Sequence, residues 1–295
     1  MHSLNEDPGV TELVRLALAE DDVNDDVTSA ALVPDTARAQ ARLIARADGV
    51  VAGLVLLEDQ APLRVAFPQI DVEVIAADGD RVAPGDVIAA LSGSAHEVLG
   101  LERTLLNFLQ RLSGIATTTA RFVDAARGTR ARIQETRKTA PGFRLLDKYA
   151  VSCGGGVNHR ISLADQVLIK ENHLVFAGAA RSPEAVAEGI RRARSHAPEG
   201  MPIEVEVEDL AQFDAALAAR PDIVMLDDFT DDDVREAVLR RDRTGPPPPL
   251  IEVSGGVKLE RVRTLACLGV DRISVGALTH SVEALDLALD VEPAP

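Results

Sequence analysis

Positive charge is scarce in this 295-residue chain: 31 Lys and Arg stand against 47 Asp and Glu, a formal net charge of −16. A surface this acidic repels nucleic acid and anionic lipid, which excludes both as partners. Long apolar runs are missing as well. No stretch of about 18 apolar residues is available to span a bilayer. The first residues, MHSLNEDPGVTELVRLALAEDD, lack the basic segment and apolar core of a secretory signal. A cytoplasmic protein is expected. Cysteine is nearly absent. Cys153 and Cys267 are too far apart for metal-binding or redox spacing and read as reduced thiols. Cys153 lies beside three glycines, but no base-orienting pattern around it supports a nucleophile. Nor does any Ser–His–Asp pattern appear.

What is present is a large apolar fraction, 46% of residues, ample for one large or two medium domains. The chain changes character part-way along. The first ~115 residues carry a helix (10–19), an acidic loop EDDVNDDVTS, and strand-like runs ARLIARADGVVAG and DVEVIAADGDRV. A long helical pattern, HEVLGLERTLLNFLQRLSGIATTTARFVDAA, follows. The segment DGDRVAPGDVIAALSG is similar to the hairpin of biotinyl and lipoyl carrier domains. Those need a lysine at the tip, and no lysine precedes Lys138, so it reads as a structural hairpin.

From about Ala131, short apolar strands alternate strictly with amphipathic helices. The strands are ARIQETRK, QVLIKENH, IEVEVED, DIVMLDD, LIEVSGG and RISVGAL. Alternation at this spacing predicts a parallel sheet. Lys138, Lys170, Asp227 and Ser254–Gly256 fall at C-terminal strand ends, and Gly276 falls near another. Glu204 and Glu206 share one strand face, opposite Val205 and Val207. Polar ends on five or more strands favour an open, incomplete α/β barrel with one functional mouth over a doubly wound sheet. The expected layout is an α/β sandwich over 1–115 and a barrel over 116–279. A C-terminal helix at about 280–292 is expected to pack back on the first domain.

A basic island interrupts this acidic chain. Between Arg137 and Lys170 lie six Lys or Arg (137, 138, 144, 148, 160, 170) and only two Asp. Arg144 and Lys148 fall on a predicted helix and can be an ordinary solvated face. Arg137, Lys138 and Lys170 end strands and point to an anionic ligand with several charges. SGGV and SVGAL precede helices in the last two βα units, where backbone N–H groups commonly cradle phosphate. Glu206 and Asp227 beside such a phosphate suggest Mg²⁺, held directly or indirectly, or else pairing with nearby cations. His159 and His173 are candidate bases or orienting groups, with His159 the more placed for substrate.

Seven stretches together resemble the quinolinate phosphoribosyltransferase family: RTLLNFLQRLSGIAT, ETRKTAPGFRLLDKYAVSCGGGVNHR, VLIKENH, IEVEVED, IVMLDDF, IEVSGGV and ISVGALTHSVEALDLALD. The likeness covers nearly the whole chain in order. It departs in small ways, with Glu135, Ala140, Ser152 and Asp228 where the family commonly has Asp, Thr, Arg and Asn. The resemblance implies a type II phosphoribosyltransferase, a pentosyltransferase of NAD biosynthesis. It would convert quinolinate and 5-phosphoribosyl 1-diphosphate (PRPP) to nicotinate mononucleotide, diphosphate and CO₂ with Mg²⁺. It implies a homodimer in which Arg103 reaches the neighbouring subunit's site. Arg103, Arg137, His159 and Arg160 would meet quinolinate, with Lys138 and Lys170 between it and the diphosphate, and Thr136 would be a further substrate-binding residue. Glu206 and Asp227 would hold ribose hydroxyls and Mg²⁺. Ser254, Gly255, Gly256, Gly276 and Ala277 would form the 5-phosphate cradle, and Ser274 and Val275 beside them would be further substrate-binding residues. Lys138, Lys170, Glu206 and Asp227 are the catalytic candidates. Two other enzymes stay open on sequence: a paralogue with a different acceptor, and a barrel aldolase using Lys170 as a Schiff base. A module that binds an anionic metabolite without turnover is the non-enzymatic alternative.

Overall fold

The computed structural model describes residues 4–178 and 182–294. The chain forms two units. One contains residues 1–120, 139–155 and 278–295; the other contains 121–138 and 156–277. The sequence reading placed 139–155 with the barrel, whereas the structure assigns that segment to the first unit.

In the first unit, four strands make an antiparallel sheet: β1 (Arg38–Ala45), β3 (Ile70–Val74), β5 (Val87–Ser94) and β12 (Leu287–Pro293), in the order β12-β1-β5-β3. Two short strands, β2 (Gly49–Val50) and β4 (Arg81–Val82), pair separately. Two expectations are corrected here. The segment DGDRVAPGDVIAALSG does not close on itself as a hairpin. Its first arm pairs with β2, and its second lies between β1 and β3. The C-terminal segment expected as a helix is instead strand β12, antiparallel to β1 along seven residue pairs. Leu287 and Leu289 are buried while Asp290 is exposed, and edge pairing with β1 outweighs the helix-like spacing of LDLALD.

The basic helix Arg144–Cys153 also belongs to this unit. Lys148 is not on a solvated face but buried, 2% exposed. Next to it Asp147 is fully buried and takes two hydrogen bonds from Arg111, 3.1 and 2.9 Å. Burial pushes the Asp147 carboxyl up, and Arg111 opposes the shift. The helix ends on glycine for a steric reason. A Cβ at Gly154 would lie 2.4 Å from the Ala116 carbonyl oxygen, so only glycine lets the two backbones meet. Tyr149 donates to Asp78, 2.7 Å. Burial and the Asp78 charge push the Cys153 thiol up to about 12, which makes it an inert thiol, not a nucleophile.

The second unit holds six parallel strands: β6 (Arg132–Gln134), β7 (Val167–Ile169), β8 (Ile203–Val207), β9 (Ile223–Asp227), β10 (Leu250–Ser254) and β11 (Arg272–Ser274). Their order is β6-β11-β10-β9-β8-β7. Chain neighbours are sheet neighbours except that the first strand pairs with the last. That is the order of a barrel left open between β6 and β7, and a doubly wound sheet would reverse direction midway. Helices Pro183–His196, Leu210–Ala219 and Asp231–Asp242 follow in alternation. Each starts where Ser182, Asp209 or Thr230 accepts a main-chain N–H of the first turn.

Register explains the site. Glu206, Met225, Glu252, Arg272 and Arg132 form one row across the sheet, and Leu168, Glu204 and Ile223 form another. Side chains two residues apart share a face. One face therefore carries Gln134, Lys170, Glu204, Glu206, Asp227, Glu252, Ser254, Arg272 and Ser274. The other is aliphatic throughout: Ile133, Val167, Ile169, Ile203, Val205, Val207, Val224, Leu226, Ile251, Val253 and Ile273. Parallel strands covered on both faces usually read as continuous apolar runs. Here one face is apolar and the other mixes charged and polar residues with Leu168, Ile223 and Met225, yet Glu204 and Glu252 are fully buried.

Candidate active site

The C-terminal ends of these strands bring one set of expected residues to a common mouth. Lys170 follows β7 directly and caps the helix Glu171–Phe176, where its N–H donates to His173 Nδ1, 2.9 Å. His173 is thus an orienting group for the cap. Lys170 Nζ is ion-paired with Glu206 on β8. The ion pair ties Nζ to a carboxylate, whereas a Schiff-base amine is made nucleophilic by an apolar pocket or a second cation. The structure gives the aldolase reading no support. Asp227 ends β9, next to β8. Its carboxyl is pushed up, by burial first and then by the like charges of Glu206 and Asp228, against Lys170 and Lys138. Three carboxylates are crowded on one side of the mouth.

The cations stand on the segments after β6. Lys138 is exposed, and its N–H donates to Thr136 Oγ1, 3.1 Å, in a local turn. Arg160 Nη1 donates to the Gln166 carbonyl, 2.9 Å. Burial depresses the Arg160 guanidinium, with Arg137 the next cause, so the two guanidinium groups sense each other. The Nε atoms of Arg137 and Arg160 are both buried and have no hydrogen-bond partner among the described residues. A buried, unpaired guanidinium N–H is costly and calls for an acceptor. Two adjacent guanidinium groups in that state mark a candidate anion site.

The turn after β10 is built on two glycines. Gly255 and Gly256 have φ of +90° and +52°, a backbone that glycine adopts without the steric penalty of a Cβ. Asp228, itself at φ +54°, packs against Gly255. Gly276 and Ala277 follow β11, beside β10. Val275 is buried, 1% exposed, and its N–H is spent on the Gln134 carbonyl, 2.9 Å.

His159 and Ser274 lie against carboxylates of the polar sheet face. Ser274 is buried, and its hydroxyl donates to Glu252 Oε1, 2.6 Å. His159 is also buried. Its Nδ1 accepts the Arg160 N–H, 2.7 Å, and its Nε2 lies 3.5 Å from Glu204 and 3.7 Å from Glu252. Both side chains turn into the barrel. Arg103 is exposed on the helix Ala95–Ala126 in the first unit.

The cluster around His159 was missed by sequence reasoning. Gln134 Nε2 donates to Glu252, 2.6 Å, and Gln166 Nε2 donates to Glu204. Glu135, fully buried, accepts the His159 N–H, 3.1 Å. The available signal was the alternation in IEVEV and LIEVS, which places a carboxylate inside each of two apolar strands, β8 and β10, that flank β9. Burial pushes both Glu204 and Glu252 up to about 7. Glu204 raises Glu252 further, while Arg272 and His159 oppose. A raised folded-state value means that the proton stabilises the fold below the usual carboxylate range. That contribution disappears as pH rises through about 7. Glu252→Gln should therefore gain melting temperature relative to wild type between pH 5 and pH 8. An unchanged difference across that range would show that Glu252 does not hold the proton.

Residues 115–290 match the quinolinate phosphoribosyl transferase C-terminal domain model, and 26–113 match its N-terminal domain model. The chain belongs to the quinolinate phosphoribosyltransferase family. It is 42% identical over 285 residues to the nicotinate-nucleotide pyrophosphorylase [carboxylating] of Mycobacterium leprae, covering 95% of this chain and 96% of that one. A probable nicotinate-nucleotide pyrophosphorylase of Bacillus subtilis is 38% identical, covering 92% and 90%. The solved nicotinate-nucleotide pyrophosphorylase of Francisella tularensis superposes with a TM-score of 0.85 at 37% identity, covering 99% and 100%.

Proposed function

We propose that this member of the family transfers the phosphoribosyl group of PRPP to the nitrogen of quinolinate and releases diphosphate and CO₂. The observation that carries the acceptor side is the pair of buried, unpartnered guanidinium Nε atoms of Arg137 and Arg160. Quinolinate is a dianion, and two guanidinium forks suit two carboxylates. Lys138 and Lys170 lie between acceptor and diphosphate, where they offset repulsion between two polyanions. Ser254–Gly256, with Gly276 and Ala277, takes the 5-phosphate. Glu206 and Asp227 take the ribose hydroxyls, and the Lys170–Glu206 pair opens as PRPP binds.

Mg²⁺ fits the donor set. Glu206 and Asp227 offer hard oxygens, and the crowding that raises Asp227 is relieved by a divalent cation. When bound, the ion supplies charge neutralisation for the leaving diphosphate. The protein's own part is positioning and electrostatic stabilisation, which needs no enzyme nucleophile. As the ribose C1–diphosphate bond breaks, the pyridine nitrogen supplies the electron pair for the new bond. The nitrogen is then cationic. It accepts the electrons released when the bond from C2 to its carboxylate breaks, CO₂ leaves, and C2 takes up a proton.

A cytoplasmic homodimer is part of this reading, with Arg103 donated across the interface. No described helix is long and apolar enough to cross a membrane. Arg103→Ala and Lys138→Ala should each be nearly inactive. A purified heterodimer of the two contains one intact shared site and should show about half the wild-type activity. An inactive heterodimer would place each site within one chain. The reaction itself is tested by supplying quinolinate or nicotinate with PRPP and Mg²⁺ and separating the nucleotides. Product from quinolinate alone supports the proposal; product from nicotinate alone would reassign the acceptor.

A further inference from the structure

A closed circuit of contacts runs behind the acceptor cations. Arg160 N–H donates to His159 Nδ1, 2.7 Å. His159 Nε2 lies 3.5 Å from Glu204, Gln166 Nε2 donates to that same carboxylate, and the Gln166 carbonyl accepts Arg160 Nη1 at 2.9 Å. Glu252 joins from β10, 3.7 Å from His159 Nε2, and is itself held by Ser274 from β11 and Gln134 from β6. The circuit therefore ties the Arg160 guanidinium to four strands. Arg160 Nε is the buried donor it leaves without a partner.

His159, Glu204 and Glu252 also have the composition of a metal site, with ligating atoms within 4.8 Å of one another. The hydrogen bonds argue for a proton there instead. A ring nitrogen that accepts an N–H carries no proton, so in neutral imidazole the proton of His159 is on Nε2. That N–H points between the two carboxylates and leaves no lone pair for a metal. Side-chain N–H and O–H donors from Gln134, Gln166 and Ser274 fill further positions around the carboxylates, where a cation would repel them.

We infer that Glu204 and Glu252 are positioning residues for the acceptor pocket, acting through the Nε2–H tautomer of His159 to hold Arg160 in its binding orientation. The inference rests on the reading of Arg160 as an acceptor-binding cation. A glutamine at either position replaces an acceptor oxygen by an NH₂ group among the donors of His159, Gln134, Gln166 and Ser274, and should loosen Arg160 without touching the phosphate cradle.

Two measurements test this. Long-range ¹H–¹⁵N spectra of the histidine rings, with His159→Gln for assignment, should show His159 protonated at Nε2 and bare at Nδ1. Steady-state kinetics of Glu252→Gln and Glu204→Gln should show the quinolinate KM raised about tenfold or more, with the PRPP KM near wild type. Glu252→Asp should recover part of the loss. A Nδ1–H tautomer, a stoichiometric metal in the purified protein, or unchanged quinolinate KM would overturn the inference. An equal rise in both KM values, with a lowered melting temperature, would reduce the pair to scaffolding and overturn it as well. Arg160→Ala separates the two levels: if it leaves the quinolinate KM unchanged, the acceptor reading itself fails.

Discussion

Arg137→Ala should cut kcat/KM for quinolinate by about 10²–10³-fold, the scale of truncating one partner of a buried charged contact. The reasoning starts from burial. The Arg137 Nε is buried and unpartnered, so its hydrogen-bonding capacity is unspent until an anion arrives. Arg137 and Arg160 sense each other as like charges, and holding both together is unfavourable unless a bound dianion offsets it. Alanine at 137 removes the fork and leaves a single guanidinium facing two carboxylates. Arg137→Lys keeps the charge but loses the planar two-pronged geometry, and should recover only a small part of the activity. The PRPP KM should move far less than the quinolinate KM. Near-normal quinolinate kinetics in Arg137→Ala would remove it from the acceptor site.

Gly255→Ala is expected to be almost as damaging, but on the other substrate. A Cβ there would lie 2.3 Å from Asp228 Oδ1 and 2.9 Å from Asp228 N, at φ +90°. An L side chain is strained in that backbone region, and the clash with main chain cannot be relieved by rotating a side chain. The turn that carries the proposed phosphate donors must shift. The PRPP KM should rise about 10²-fold, as expected for strain and clash at a constrained backbone position. Quinolinate KM should stay near wild type, because Arg137 and Arg160 are carried by other segments. A PRPP KM that does not change would show that the turn is not the phosphate cradle.

The parallel barrel was legible because its evidence is local. Each strand–helix unit announces itself by a short apolar run followed by an amphipathic stretch, and all six expected runs contain a strand. What was not legible depended on distant partners. LALDVEP has a helix-like spacing, and only its pairing with a strand some 244 residues earlier, as seen in the Arg46–Asp290 contact, makes it a strand. The arms of DGDRVAPGDVIAALSG likewise find partners elsewhere, since a turn sequence fixes a turn and not the sheet its arms join.

The candidate site shows the same division. Lys170, Glu206, Asp227 and the glycines of 254–256 could be placed because strand ends in a barrel share a mouth. The basic island looked like one feature, yet Arg144 and Lys148 belong to the first unit while Arg137, Lys138 and Arg160 belong to the second. A run of charges in sequence carries no information about which core its helix joins. His159 looked like a substrate contact by its neighbours in NHR. Its buried partners, Glu204 and Glu252, lie on strands from which the sequence singled out Glu206 and Ser254 at the mouth but not the carboxylates deeper inside.

Under the proposed function, one mouth joins phosphoribosyl transfer to loss of the ring 2-carboxylate. The most direct measurement uses quinolinate labelled with ¹³C in that carboxylate, together with PRPP, Mg²⁺ and purified protein. Labelled CO₂, diphosphate and nicotinate mononucleotide are then quantified in the same reaction. All three should appear in equal amounts, and none should form without PRPP. Diphosphate release with the label retained in the nucleotide, or no consumption of quinolinate at all, would contradict the proposed function.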